Sequence, residues 1–187
     1  MLTEIISTLS IPSVLLHQVN YSEIIDLYSP RASDGAAVWR LIRDSGGLDL
    51  NSSYAYLLLC DSFRDTCVIA RGPGSELAGA ALCLRKPRQP ETLFVWQIAV
   101  HPGARGAGLG LALLQQVMST PACRAVRFVE AHVTPQNAAS EALFQKFARV
   151  RQAPLVFHEG FTANDFPDAH ADERLVRIGP LGQAETE

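Results

Sequence analysis

The sequence predicts an α/β fold in which a central mixed, twisted sheet is flanked by helices. Strand-like runs alternate along the chain with segments whose apolar residues recur at helical spacing. The run 92–100 is almost continuously apolar, which is typical of a central strand buried on both faces. Together these patterns predict the element order β-α-α-β-β-β-α-β-α-β-β.

The chain begins with a segment that shows no clear period. We therefore assign residues 1–23 to an N-terminal extension, residues 24–182 to one domain and residues 183–187 to a tail. Within the domain, a short strand at 24–28 precedes two helices. Cap-type residues stand before each of these helices, and a Gly-Gly pair separates them.

The remaining elements follow from the same patterns. Strands are predicted at 66–70 and 76–84 around a Gly-Pro-Gly turn, and residues 86–90 are predicted to be a loop. A helix at 109–117, a strand at 126–133, a helix after a Thr-Pro start and strands at 155–157 and 174–178 complete the domain. On the last helix, one face is predicted to carry Ala139, Ala142, Leu143 and Phe147.

The composition excludes several classes of protein. With 187 residues, 48% of them hydrophobic, the chain is predicted to be one globular domain rather than a disordered one. Its apolar runs are too short for a membrane span, and 16 Lys and Arg against 19 Asp and Glu lack the basic excess of a nucleic-acid binder. No basic residue precedes Ser10, so we expect no secretory signal and a cytoplasmic protein. The cysteines and histidines show no metal-ligand spacing, so no metal is expected.

A glycine-rich stretch, 101–110, lies between the apolar run and a predicted helix. Glycines let the backbone approach a ligand closely, and the N–H groups at a helix N-terminus attract anions. Arg105 can pair with a phosphate. Leu111 stands where the dinucleotide fingerprint needs its third glycine, and the Gly-Lys-Ser/Thr of a P-loop is absent. The stretch therefore predicts a pyrophosphate cradle of another kind.

The spacing Arg105-x-x-Gly108-x-Gly110 resembles the acyl-CoA signature of the GNAT acetyltransferase superfamily. Downstream, Asn137 and Phe144 resemble the second GNAT motif, in which an asparagine and an aromatic residue flank the CoA arm. The resemblance implies a GNAT-type acyl-CoA N-acyltransferase fold with acetyl-CoA as co-substrate. The residues that it assigns to acetyl-CoA are Ile98, Ala99, Val100, Arg105, Gly106, Ala107, Gly108, Leu109, Gly110, Asn137 and Phe144.

Further segments resemble one family within that superfamily, the L-2,4-diaminobutyrate acetyltransferases of ectoine biosynthesis. The segments lie at 34–39, 48–58, 94–97 and 170–181, and Asp-Leu-Asn-Ser-x-Tyr-x-Tyr and Phe-Val-Trp-Gln are much more specific than the glycine stretch. The resemblance covers about residues 27–182. It implies acetyl transfer from acetyl-CoA to the γ-amine of L-2,4-diaminobutyrate, and a homodimer. The charge balance separately predicts that the protein binds neither nucleic acid nor membrane.

Such a reaction needs a proton acceptor, because only about one alkylammonium in a thousand is free amine at neutral pH, which costs roughly 4 kcal/mol. The candidate bases are Glu173, Glu130 and Asp49. Without a catalytic role, Glu173 would belong to a solvated loop, Glu130 to the surface at a sheet edge and Asp49 to a helix cap. A backbone N–H near Ala99 or Val100 is expected to stabilise the oxyanion. The family resemblance assigns the substrate to Asp49, Asn51, Tyr54, Trp96, His170 and Glu173.

Other positions near these candidates carry separate expectations. Strand alternation predicts that Trp96 and Gln97 face opposite sides, with Trp96 as a pocket wall, whereas Tyr56 is assigned to the core. His132 stands where the family pattern has a threonine, and no role is predicted for it.

Phe144 stands where many GNAT enzymes have a tyrosine that protonates the leaving thiolate. Water or another group must then supply the proton, or the thiolate leaves as such, and Phe144 is expected only to pack near the pantetheine. Two alternatives stay open at the level of sequence. One is a GNAT enzyme for another amine, and the other is a CoA-binding module without catalysis.

Overall fold

The computed structural model describes residues 26–72 and 76–182, so the predicted extension and tail lie outside the described residues. The predicted order of strands and helices is confirmed. In chain order the elements are β1 (Asp26–Tyr28), α1 (Gly35–Ser45), α2 (Ser53–Asp61), β2 (Val68–Arg71), β3 (Leu77–Lys86), β4 (Gln89–Val100), α3 (Leu109–Ser119), β5 (Phe128–Val133), α4 (Ala138–Val150), β6 (Leu155–Glu159) and β7 (Arg174–Ile178).

The strands form one seven-stranded sheet in the order β1-β2-β3-β4-β5-β7-β6. Only the β4–β5 pair is parallel, and the other neighbours are antiparallel, so the predicted mixed sheet is confirmed. Helices α3 and α4 cover one face and helices α1 and α2 cover the other, and each face has its own buried apolar cluster. Burial on both faces explains the nearly continuous apolar run of β4.

Two local predictions were wrong. Residues 86–90 are not a loop, because Lys86 pairs with Gln89 and only two residues turn between β3 and β4. The predicted single face of α4 is divided in two. Phe147 packs in the core with Phe144, whereas Leu143 lies on an adjacent face that lines a cleft.

The central parallel pair opens partway along its length. β4 and β5 are paired at Thr92–Phe128, Leu93–Val129 and Phe94–Glu130, and the ladder between the two strands ends there. Beyond that point β4 stays paired with β3 as far as Val100, while β5 stays paired with β7. Each strand therefore follows its antiparallel partner, and a gap forms between the two halves of the sheet.

A bulge in β4 changes which residues face the two sides. Gln97 pairs with Leu82 and Val95 pairs with Cys83, so Trp96 is an extra residue in the ladder. Val95 and Ile98 consequently both pack towards the α3–α4 face. The prediction that Trp96 and Gln97 alternate between faces is therefore wrong, because the extra residue resets the period of the strand.

None of the helices within the described ranges is long and apolar enough to cross a membrane.

Candidate active site

The gap between β4 and β5 is a cleft of about 830 Å³, which we call the β4–β5 cleft. Its walls come from the end of β4, the glycine-rich stretch, the first turns of α4 and the loop after α1. The lining residues include Gly46, Gly47, Leu48, Ile98, Ala99, Val100, Arg105, Gly106, Gly108, Leu109, Gly110, Thr134, Asn137, Ala139, Leu143 and Lys146.

The glycine-rich stretch enters α3 through two residues with left-handed backbone conformations. Gly106 has φ +84° and Gly108, the residue that precedes α3, has φ +81°. L-residues rarely adopt this region, so these positions require glycine. The conformation presents the first N–H groups of α3 to the cleft, where the helix dipole favours an anion. The predicted pyrophosphate cradle therefore fits the backbone at this position.

Arg105 organises the cleft in a way that the sequence did not predict. Its Nε donates to the carbonyl of Val100 at 3.2 Å, and its Nη2 donates to the carbonyl of Ser45. The guanidinium thus ties the glycine-rich stretch to the end of β4 and to the end of α1. Its charge still lies at the cleft wall, and Lys146 adds a second cation that sequence reasoning missed.

The end of β4 presents backbone groups to the cleft. The N–H of His101 donates to the carbonyl of Ala78 at 2.8 Å, so this residue faces β3. Because alternate residues of a strand direct their N–H groups to opposite edges, those of Val100 and Ile98 point to the open edge. The contact of Arg105 with the Val100 carbonyl agrees with this direction. Val100 is thus better placed than Ala99 to donate to a ligand in the cleft.

Two of the residues predicted to contact acetyl-CoA are not among those that line the cleft. Ala107 is exposed on the glycine-rich stretch, and Phe144 is only 2% exposed, within the core beneath α4. The neighbouring Leu143 lines the cleft in its place. Asn137 is the N-cap of α4, and its side chain accepts from the N–H of Ser140 at 3.0 Å.

A second group of side chains, which we call the Glu173 cluster, consists of Asp49, His132, His170 and Glu173. His132 Nδ1 lies 3.3 Å from Glu173 Oε2. His170 Nε2 lies 3.4 Å from Asp49 Oδ2 and 4.0 Å from Glu173 Oε1. Three of the predicted substrate residues are therefore brought together, and His132 is an additional member that sequence reasoning missed.

The Glu173 cluster adjoins the β4–β5 cleft on both sides of the gap. Asp49 directly follows Leu48, which lines the cleft, and its carbonyl accepts from Gln97 Nε2 at 2.6 Å. His132 lies on β5, two positions before Thr134, which follows the strand and also lines the cleft. The chain therefore connects the cluster directly to the walls of the cleft on both sides of the gap.

Aromatic rings and one glycine hold the cluster in place. The ring of Phe161 stacks on His132 with centroids 4.4 Å apart, and the ring of Phe166 stacks on His170 at 3.7 Å. A Cβ on Gly160 would lie 2.6 Å from the carbonyl oxygen of Glu173 and 3.0 Å from His132 Nδ1. Only glycine therefore allows this close approach of the two chain segments.

The surroundings shift the pKa values of the cluster in different directions. Burial raises the pKa of Glu173, and the nearby Asp49 adds to this against the opposite effect of His170. Burial and the positive charge of Lys86 lower the pKa of His132 against the opposite effect of Glu130, which favours the neutral imidazole. The Ala171 carbonyl, followed by Asp49, raises the pKa of His170. The raised pKa makes the Glu173 carboxylate suited to accept a proton, and the imidazole rings of His132 and His170 lie next to it.

Glu130 lies on the same face of β5 but has different partners. It is 2% exposed, and its carboxylate contacts Lys86 Nζ and Arg177 Nη1. Burial alone would raise the pKa of Glu130, but the hydrogen bonds from the two cations outweigh it and lower the pKa. A carboxylate that is engaged by two cations accepts a further proton poorly.

The other predicted substrate residues are Asn51, Tyr54 and Trp96. Tyr54 is 71% exposed on α2 and Trp96 is 45% exposed at the bulge. The backbone N–H of Asn51 donates to Tyr56 Oη at 3.1 Å, and that hydroxyl donates to Gln97 Oε1 at 3.1 Å. Tyr56 is fully buried, as predicted. Together with Gln97 it fastens the segment of Asp49 to β4.

The part of the chain that the structure describes contains no group of three or more His, Cys, Asp or Glu side chains that could hold a metal ion.

Comparison with known proteins agrees with this geometry. Residues 36–148 match the model of the acetyltransferase (GNAT) family. The L-2,4-diaminobutyric acid acetyltransferase of Shouchella clausii is 45% identical over 84% of this chain and 88% of its own. The protein of the same name from Halomonas elongata is 41% identical over 81% of this chain and 79% of its own.

Solved structures give the same result. The diaminobutyrate acetyltransferase EctA from Paenibacillus lautus, in complex with its substrate L-2,4-diaminobutyric acid and coenzyme A, matches with a TM-score of 0.82 and 45% identity over 87% of this chain and 99% of its own. The ribosomal-protein-S18-alanine N-acetyltransferase of Escherichia coli matches with a TM-score of 0.59 at 18% identity, over 88% of this chain and 99% of its own, and shares the fold alone. This chain therefore belongs to the GNAT family of acetyltransferases, among the L-2,4-diaminobutyric acid acetyltransferases.

Proposed function

We propose that this protein transfers the acetyl group of acetyl-CoA to the γ-amine of L-2,4-diaminobutyrate, a step of ectoine biosynthesis. The observation that carries the proposal is the Glu173 cluster, whose members Asp49 and His132 lie one and two residues along the chain from cleft-lining residues. A diamino acid carries two ammonium groups and one carboxylate, and the cluster supplies carboxylates beside aromatic walls. The names and similarity of the relatives support the same substrate.

Glu173 is our candidate for the general base. The γ-ammonium must lose a proton before its nitrogen can attack the thioester carbonyl. Burial raises the pKa of Glu173, which makes its carboxylate a better proton acceptor than an exposed one. Glu130 lacks this property, because Lys86 and Arg177 already occupy its oxygens. We therefore assign Glu130 a structural role and keep Asp49 for binding.

The backbone at the end of β4 would stabilise the tetrahedral intermediate. The N–H of Val100 points to the open edge, where it can donate to the oxyanion. Collapse of the intermediate breaks the C–S bond and leaves the thiolate of CoA. Phe144 has no proton to give and lies in the core, so water in the open cleft is our candidate donor to the thiolate.

Asp49 is our candidate for selecting the γ-amine over the α-amine. Its side chain is 87% exposed, next to the half-buried His170, and is therefore available to an ammonium group. If Asp49 anchors the α-ammonium, and Asn51 and Tyr54 bind the carboxylate, only the distal amine reaches the thioester. Asp49→Ala should then raise the KM for diaminobutyrate and weaken γ-selectivity. Unchanged values of both would contradict the anchor.

We also propose that the protein is a homodimer in a reducing, cytoplasmic compartment. Apolar side chains on and before α2 are exposed in one chain, which supports a contact with a second copy. These residues are Leu50, Tyr54, Leu57 and Leu58. The four cysteines are buried free thiols, as expected where disulfides do not form. Light scattering during gel filtration measures the mass of the assembly directly.

Turnover across a panel of amines tests the proposed function. The panel contains 2,4-diaminobutyrate, ornithine, lysine, diaminopropionate, spermidine and a peptide, and the products are detected by mass. We expect strong preference for 2,4-diaminobutyrate, with the acetyl group on the γ-nitrogen. Preference for another amine would overturn the substrate assignment. Tight acetyl-CoA binding without turnover of any amine would instead indicate a binding module.

A further inference from the structure

His132 is the member of the Glu173 cluster that sequence reasoning left without a role. Its side chain is 17% exposed and that of Glu173 is 16% exposed, so both are largely withdrawn from water. Its Nδ1 lies 3.3 Å from Glu173 Oε2. That nitrogen is buried and has no hydrogen-bond partner among the described residues, so its contact with Glu173 has the distance of a hydrogen bond but not its alignment. Buried polar atoms in proteins usually have a hydrogen-bond partner, and the Glu173 carboxylate is the group within reach of this nitrogen.

We propose that His132 is a positioning residue for acetyl transfer, whose Nδ1–H donates to Glu173 and holds that carboxylate towards the amine. The inference rests on the proposed function. The ring is fixed from two sides, by Phe161 at 4.4 Å and by Phe94 at 5.8 Å between centroids. Gly160 leaves room for Nδ1 at a position that a Cβ would crowd.

The charges around the pair determine which species is present. Lys86 on β3 and Glu130 on β5 act on His132, while His170 and Asp49 act on Glu173. Burial and the charge of Lys86 lower the pKa of His132, which favours the neutral ring with one proton on its two nitrogens. The acceptor that faces Nδ1 is the Glu173 carboxylate, so the tautomer with the proton on Nδ1 is favoured. A donor to the ionised carboxylate also opposes the rise that burial causes in its pKa.

Two substitutions separate positioning from packing. His132→Asn keeps a donor near the place of Nδ1, whereas His132→Val removes it. We expect His132→Val to lower kcat about tenfold or more and to move the acid limb of the kcat/KM profile upward by about one pH unit, because the carboxylate loses a donor. His132→Asn should recover most of kcat and the wild-type acid limb. The KM for acetyl-CoA should stay the same in both variants.

Equal impairment of the two variants, or an unchanged acid limb in His132→Val, would overturn the proposal. A measurement on the unmodified protein keeps the test independent of the substrate and of the activity of the variants. Nitrogen NMR of the imidazoles, assigned by the signal that His132→Asn removes, should show the Nδ1–H tautomer of His132 at pH 7. An Nε2–H tautomer would overturn the proposal even if diaminobutyrate is the substrate. Failure of the wild type to acetylate diaminobutyrate would overturn only the proposed function.

Discussion

The β4–β5 cleft and the Glu173 cluster adjoin each other but are built from different parts of the protein. The cleft is lined by three stretches of the chain, and the one that runs from the end of β4 into α3 includes Gly106 and Gly108 in left-handed conformations. The cluster is formed by side chains from separate segments, which meet only in the folded chain. The difference implies that the cleft is sensitive to added Cβ atoms, whereas the cluster is sensitive to the loss of single polar groups.

Two carboxylates with little exposure, Glu130 at 2% and Glu173 at 16%, show why partners matter more than burial. Glu130 is held by Lys86 and Arg177, and its pKa is lowered. Glu173 faces His132 and His170, and its pKa is raised. The first arrangement stabilises the sheet where its two halves join, and the second leaves a carboxylate able to accept a proton.

The largest expected effect is that of Glu173→Gln, which keeps the shape of the cluster but removes the proposed base. We expect kcat to fall about 10³-fold, within the range for loss of a general base. The KM for acetyl-CoA should be nearly unchanged, because the cleft does not contain Glu173. Rates are measured as acetylated product by mass spectrometry. A variant that keeps more than a tenth of the wild-type kcat would contradict the assignment.

Glu130→Gln is the matched control, and we expect it to affect stability more than rate. Loss of the carboxylate leaves Lys86 and Arg177 without their partner, which should lower the free energy of unfolding by about 2 kcal/mol at pH 7. Because the folded pKa of Glu130 is lowered, its contribution is present above the unfolded pKa and is lost as the pH falls through the folded pKa.

Glu173→Gln should change stability with the opposite dependence on pH. The pKa of Glu173 in the folded protein is raised, so its contribution to the free energy of unfolding is lost as the pH rises through that pKa. Over the same pH range, the stability of the variant therefore rises relative to that of the wild type. Urea denaturation at several pH values measures both effects. Parallel pH dependences for the two variants would remove the distinction between the carboxylates.

Gly108→Ala tests the cleft, with a smaller expected effect. A Cβ meets no atom within 4 Å, but the φ of +81° strains any L-residue by roughly 1 kcal/mol. Relief of the strain should displace the N–H groups at the start of α3 and raise the KM for acetyl-CoA about fivefold, with a smaller change in kcat. Calorimetric titration with CoA checks the binding separately. Unchanged affinity would show that the left-handed conformation is not needed for the ligand.

Phe144→Tyr is expected to have the smallest effect on rate. The side chain lies in the core beneath the cleft, so a hydroxyl there cannot reach a leaving thiolate in the cleft. Turnover should stay within twofold of the wild type, and stability should fall by about 1 kcal/mol because the hydroxyl is buried. A clear rise in kcat would show that position 144 does contact the reacting sulfur.

Local sequence patterns predicted the elements well and their exceptions poorly. The order of strands and helices follows from periodicity, which is a property of neighbouring residues. The bulge at Trp96 and the turn between Lys86 and Gln89 depend on pairing between β3 and β4, which periodicity does not contain. On α4, Leu143 and Phe144 are both apolar, and only packing decided which of them faces the cleft.

By itself, the sequence determined the fold class and the glycine-rich cradle, because both depend on local backbone preference and on spacing along the chain. The tertiary structure alone decided the roles of the carboxylates. Glu130 meets Lys86 and Arg177, and Glu173 meets His132, across long separations in sequence. The proton affinity of a carboxylate depends on burial and on distances in space to charges and donors, and the order of residues does not encode those distances.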